Sequence, residues 1–168
     1  AFHIADFDTF DIANFNRQAG AMVSTLGQPK VAVLAQMAMD INPELEIKQF
    51  PDGIHDSNLA EFFAGVDLYV DGLDFFAFPA RQATFASCAR LGIPAITAAP
   101  LGMGTAMLNF LPGGMTFDEY FGWGDLPEEE KALRFLVGLA PAGLHGPYLI
   151  DPSAINLNER RGPSTIMG

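Results

Sequence analysis

A single cysteine, Cys88, excludes an internal disulfide framework and a cysteine-built zinc site within the chain. That usage is typical of a reducing compartment and makes the cytoplasm the default location. Long apolar runs are also lacking. The most hydrophobic stretches are broken by Gly102 and Gly104, or by Pro141 and Gly143, and no charged start precedes an apolar leader. No membrane span is expected. Positive charge is scarce: 9 Lys and Arg face 20 Asp and Glu, for a net charge of -11. The phosphate-backbone attraction behind nucleic-acid binding is missing, so nucleic acid is not an expected partner. A surface this acidic repels any anionic ligand unless cations are placed locally, so the few cations matter. His3, His55 and His145 form no constellation with a nucleophile and read as structural or surface residues.

What is present is a chain of 168 residues, 49% apolar, enough for one globular domain with a substantial core. It opens at Ala1 directly into the strand-like run from Phe2 to Ala5, which suggests that an upstream segment has been removed. Short β-like runs then alternate with helix-length amphipathic ones: 31–41, 45–50, 59–66, 68–70, 78–91 and 95–98. This βαβα rhythm predicts an α/β fold with a mainly parallel, buried sheet, which binds ligands at the carboxyl ends of its strands.

Punctuation supports the segmentation. Pro29 suits the first turn of a helix starting near Lys30, and Asn42 with Pro43 stops it. Gly92 and Pro94 end the next long helix. After Gly102 comes a strand-like run through Leu111, then Pro112, Gly113 and Gly114, where the parallel portion stops. We expect a nucleotide-binding α/β core over 1–112 and a helical crossover or cap over 113–150, with Glu128, Glu129 and Glu130 in a first helical turn. A turn-rich terminal segment of the same domain, 151–168, completes the division.

Chemistry concentrates near the first strand. Asp6, Phe7 and Asp8 end it, and an acidic residue at such a strand end can grip ribose hydroxyls. Alone, a strand-end carboxylate is more often a turn or a cap. Here Asn14, Arg17 and Gln18 follow as a cluster of donors, with Lys30 at a helix start. Arginine offers a planar fork for phosphate oxygens, lysine a point charge, and amides donate without adding charge.

The run DFDTFDIANFNRQ, followed by GQPK at 27–30 and INP at 41–43, resembles the ThiF/MoeB/HesA family, related to ubiquitin-activating enzymes. The run VDLYVDGLDFFAFPAR at 66–81 and GIPAITAAPLGMG at 92–104 extend the resemblance over about residues 2–112. It implies a Rossmann-like three-layer fold whose first strand, glycine-loop and helix unit is missing from this chain. It further implies that Asp6 binds ribose and that Asp8, Asn14, Arg17, Gln18 and Lys30 belong to the nucleotide site. Asp74 would hold Mg²⁺, with Asp71 as its nearest rival, and Arg17, Lys30 and Asp74 would carry catalysis. The alternative role for Asp74 is capping a helix that begins near Phe76.

The implied activity is that of a bacterial adenylyltransferase: ATP-dependent adenylation of the C-terminal carboxylate of a small ubiquitin-like or sulfur-carrier protein. ATP and Mg²⁺ are the implied cofactors, zinc is not expected, and a homodimer is. The chain departs from the family pattern in lacking the Gly-rich loop and in carrying Phe75 after Asp74 where an Asn is usual. Cys88 sits in an apolar helix and reads as a buried small hydrophobe rather than a thioester-forming thiol. Two other readings stay open: an inactive scaffold of the same family, and a nicotinamide- or flavin-binding oxidoreductase domain, which has no use for a magnesium carboxylate.

Overall fold

The computed structural model describes residues 1–101, 104–144 and 146–148. Expectations for Gly102, Met103, His145 and the 151–168 segment lie outside them. The chain divides into two compact units, Ala1–Val66 and Asp67–Gly168. Among the described residues, no helix is long and apolar enough to cross a membrane.

In the first unit, β1 (Phe2–Ala5) and β2 (Ile47–Phe50) pair in parallel with Phe2 opposite Ile47 and Ala5 opposite Phe50. The crossover is α1 (Lys30–Ile41), which buries Val31, Val33 and Ala35. Pro29 takes the N-cap position instead of the predicted first turn, and Asn42 ends the helix as its C-cap. The cap position suits proline, whose missing N–H would have no helical partner there. A short α2 (Leu59–Phe62) follows β2 and is four residues long where the apolar pattern ran on to Val66. His3 lies between the rings of Phe50 and Phe62, and its Nδ1 is 2.6 Å from the Phe62 carbonyl, a structural role.

In the second unit, β3 (Tyr69–Asp71) pairs in parallel with β4 (Ala95–Leu101) through the crossover α3 (Phe78–Leu91). Gly92 ends α3 at φ 70°, a left-handed conformation that glycine adopts without a Cβ clash. β5 (Gly104–Phe110) returns antiparallel to β4, with Ala95 opposite Phe110. Among the described residues the strands form two ladders, the parallel β1-β2 and the mixed β3-β4-β5. β2 runs out at Phe50 into a turn, and β3 offers only three residues for pairing.

α4 (Phe117–Phe121) and α5 (Glu128–Leu139) complete the second unit. Thr116 and Glu119 form a reciprocal capping box at the start of α4. The core of this unit is aromatic. Phe85 stacks on Phe117 at 4.3 Å, and Trp123, fully buried, meets Phe78, Phe117, Phe121 and Phe135. Cys88 is buried in the same layer, and burial pushes its thiol up to about 12.

Candidate functional site

Beyond β1 the chain turns on itself. The Asp6 carboxylate accepts the Asp8 N–H at 2.8 Å, a local Asx turn. Residues 8–10 then bond back to the entry of α1: Lys30 N–H donates to Asp8 O, Phe10 N–H to Gln28 O, and Gly27 N–H to Phe10 O. These bonds close the 11–26 loop and fix the start of α1 beside the end of β1. The Lys30 side chain is buried, and its Nζ lies 3.1 Å from Asp8 Oδ2, so the two residues form one pair.

Within the loop, Asp11 caps the short 3-10 turn Ile12–Asn14 through Ala13 N–H, and Asn14 Oδ1 accepts Asp11 N–H at 2.9 Å. Asn14 is 8% exposed, and its Nδ2 makes no hydrogen bond among the described residues. Arg17 is exposed; its Nη1 reaches Ala13 O at 2.7 Å and Asn16 Oδ1 at 3.0 Å. Gln18 is half-buried, its backbone N–H bonded to Asn14 O. The unit carries three cations against nine acids. Lys30 is paired with Asp8 and Lys48 with Glu61, which leaves Arg17 as the cation of this unit without a carboxylate partner among the described residues. Its Nε and Nη2 make no hydrogen bond among the described residues.

The second unit assembles a different group. Asp71, at the end of β3, is buried with both carboxylate oxygens engaged. Oδ2 accepts Arg81 Nε at 2.8 Å and Thr97 Oγ1 at 2.9 Å, and Oδ1 accepts Leu73 N–H at 3.0 Å. With three of its roughly four acceptor sites taken and the side chain 1% exposed, Asp71 offers little to a cation arriving from solvent. Arg81, 2% exposed, gives three further bonds to the carbonyls of Leu73, Asp74 and Phe75, and its guanidinium lies 4.7 Å from the centre of the Phe135 ring. Sequence reading placed Arg81 in a motif but not in this pairing. The ten-residue spacing of Asp71 and Arg81 across a strand and a helix start was the available signal.

Asp74 is exposed on the turn that Arg81 grips. Its Oδ1 accepts the Phe75 N–H at 2.8 Å, and Oδ2 makes no hydrogen bond among the described residues. The capping alternative fails, because α3 starts at Phe78 with Ala77 as its cap residue and takes no bond from the Asp74 side chain. No group of three or more His, Cys, Asp or Glu among the described residues could hold a metal ion by itself. A hard cation that relies on one carboxylate and takes its other ligands from phosphates and water fits this donor set; a cation caged wholly by protein does not.

The family model described as "ThiF family" matches residues 1–138. The chain is 34% identical over 95 residues to the tRNA threonylcarbamoyladenosine dehydratase of Bacillus subtilis, covering 56% of this chain and 37% of that protein. To the Escherichia coli sulfur carrier protein ThiS adenylyltransferase it is 27% identical over 146 residues, covering 87% of this chain and 55% of that protein. Among solved structures, the Escherichia coli tRNA N6-threonylcarbamoyladenosine dehydratase in complex with ATP superposes with a TM-score of 0.55 at 28% identity, over 60% of this chain and 41% of that one. The chain thus spans between about a third and a little over half the length of these relatives. With a family match over most of its length and an α/β architecture of the same kind, the chain belongs to the ThiF family.

Proposed function

We propose that this chain is the core of an ATP-dependent adenylyltransferase that activates the C-terminal carboxylate of a small ubiquitin-like or sulfur-carrier protein. The observation that carries the reading is Arg17, the exposed cation left without a carboxylate partner in a strongly acidic unit. An arginine without a carboxylate partner in such surroundings suits a triphosphate. In the first unit, Asp6 takes ribose hydroxyls, Asn14 and Gln18 offer neutral donors, and Asp8 acts through Lys30, which supplies the second charge. In the second unit, the exposed Asp74 would hold Mg²⁺ through Oδ2. The core over 1–112 and the cap over 113–150 are parts of the same proposal.

The chemistry needs little from the protein beyond placement. The partner's terminal carboxylate has an ordinary pKa of about 3.5 and is already ionised at neutral pH, so no general base is required. Its oxygen bonds to the α-phosphorus of ATP, the bridge to the β-phosphate breaks, and pyrophosphate leaves with the electron pair. Arg17 and Lys30 would spread the developing charge, and a cation held by Asp74 would supply Lewis acidity. Cys88, buried and with its thiol pushed up to about 12, is no candidate for a later acyl transfer from the adenylate.

The relatives point to two kinds of substrate. The ThiS adenylyltransferase covers the larger share of this chain, whereas the dehydratase names a tRNA nucleoside. A net charge of -11 favours a protein partner with a basic face over a polyanion. Pyrophosphate exchange into ATP by the full-length protein, dependent on a carrier protein with an intact C-terminus, tests the reading. Arg17→Ala and Asp74→Ala should each reduce exchange at least tenfold. Exchange indifferent to both would sink the site assignment, and no exchange with any carrier would favour a scaffold role.

A further inference from the structure

The turn that carries Asp74 is held by an unusual density of bonds from one buried side chain. Arg81 comes from α3, Asp71 from β3 and Thr97 from β4, so helix and sheet converge on it. Arg81 Nη2 donates to Leu73 O at 2.7 Å and Asp74 O at 3.0 Å, Nη1 donates to Phe75 O at 3.0 Å, and Nε donates to Asp71 Oδ2 at 2.8 Å. The other carboxylate oxygen of Asp71 holds the Leu73 N–H at 3.0 Å. Three successive carbonyls and one amide of a single turn are therefore tied to an ion pair that is itself buried. Phe135 closes the outer face of the guanidinium at 4.7 Å.

We propose that Arg81 is the positioning residue of the 73–75 turn, fixing the backbone so that the Asp74 carboxylate presents Oδ2 to a divalent cation; this rests on the reading of Asp74 given above. The geometry separates positioning from ordinary core packing. A salt bridge that only stabilised the fold would need the Asp71 contact alone. Here three of the four donor contacts of Arg81 go to backbone carbonyls of the one exposed turn. Each carbonyl held inward removes a way for the turn to rotate, and Phe75 N–H fixes the remaining freedom of Asp74 by occupying Oδ1. A lysine keeps the charge opposite Asp71 but has no planar fork, so it cannot hold three carbonyls along one turn. Arg81→Lys is therefore the informative change: it keeps the buried pair compensated and loosens the turn.

The experiment is Mn²⁺ binding to the full-length protein, followed by the loss of the free-ion electron paramagnetic resonance signal in the presence of a non-hydrolysable ATP analogue. Wild type is compared with Arg81→Lys, Asp74→Asn and Leu139→Ala, the last loosening the same unit at a buried site near the end of α5. Thermal unfolding and hydrogen exchange of the 73–75 amides are measured in parallel. The proposal requires Mn²⁺ affinity to fall at least tenfold in Arg81→Lys and in Asp74→Asn, to hold in Leu139→Ala, and the turn amides to exchange faster in Arg81→Lys alone. Unchanged affinity in Arg81→Lys, with a loss in Asp74→Asn, overturns the role of Arg81 and leaves Asp74 standing. Unchanged affinity in Asp74→Asn overturns both. An equal loss in Leu139→Ala shows general loosening and likewise overturns the role of Arg81.

Discussion

Lys30 Nζ lies 3.1 Å from Asp8 Oδ2, with the lysine side chain 10% exposed and the aspartate side chain 55% exposed. The burden of the pair is unequal: the lysine has given up water and the aspartate has not. Removing one partner of a fully buried pair costs about 3–5 kcal/mol, while exposed pairs are worth about 0–1 kcal/mol. Asp8→Asn should fall between, at about 1–3 kcal/mol by urea denaturation. Nucleotide affinity should move the other way. An aspartate this close competes with phosphate for Lys30, so the folded Asp8→Asn protein should bind ATP a few-fold more tightly by calorimetry. Weaker binding would make Asp8 a direct ligand.

High pH should destabilise the second unit through two buried acids. Burial pushes the Cys88 thiol from 9.0 up to about 12, and burial followed by the Asp71 charge pushes the Tyr69 hydroxyl upward as well. Both groups hold their protons in the folded state over a range where the unfolded chain releases them. Their contribution is complete below pH 9 and is lost as pH rises toward about 12. Between about pH 8 and pH 10.5 the unfolding free energy should fall by on the order of 2 kcal/mol from Cys88 alone. Cys88→Ala should flatten that decline without abolishing it, since Tyr69 remains. Urea midpoints across this range, for both proteins, check the sign and the share.

What the sequence disclosed follows from how local each signal is. The bounds of α3 were legible because Gly92 stops it, and the end of α1 because Asn42 precedes Pro43. A strand at β5 was legible in the run after Gly102, but its antiparallel direction was not. The Asp71, Arg81 and Thr97 assembly was not, since it joins three elements across 26 residues and depends on burial that composition does not encode. Likewise the pairing of Asp8 with Lys30 was hidden, because the two residues stand 22 positions apart in the sequence. The separation into two ladders depends on where hydrogen bonds stop, a tertiary property with no residue signature.

A second copy of the chain is the proposed cover for the 7–26 stretch. Phe7, Ile12 and Val23 are 77%, 70% and 79% exposed, and Met22 and Leu26 are exposed beside them. Isolated exposed apolar residues are ordinary, but this concentration within twenty residues points to an interface. Ile12→Asp with Val23→Asp should leave the fold intact, since neither side chain is buried, and, if the proposed homodimer forms through this face, weaken self-association at least tenfold by sedimentation. Unchanged mass at every concentration would exclude this face.

Gly138 sets two opposing effects against each other. It lies in the last turns of α5, where alanine is favoured over glycine by about 1 kcal/mol on helix propensity. A Cβ built there would sit 2.5 Å from Phe121 Cε1 and 2.7 Å from Phe121 Cδ1. Phe121 cannot swing aside freely, because it is 4% exposed and wedged against Phe117, Trp123 and Phe135. Tyr120 adds a second constraint by donating its hydroxyl to the Gly138 carbonyl at 2.9 Å, which ties α4 to α5 at this point. Overpacking a filled core costs about 1–3 kcal/mol, so packing outweighs propensity and Gly138→Ala should destabilise by roughly 1 kcal/mol or more. Phe121→Leu should relieve the contact, so the double variant should lose less than the two single changes together. A stabilising Gly138→Ala would show that α4 and α5 can separate by the width of a methyl group without cost.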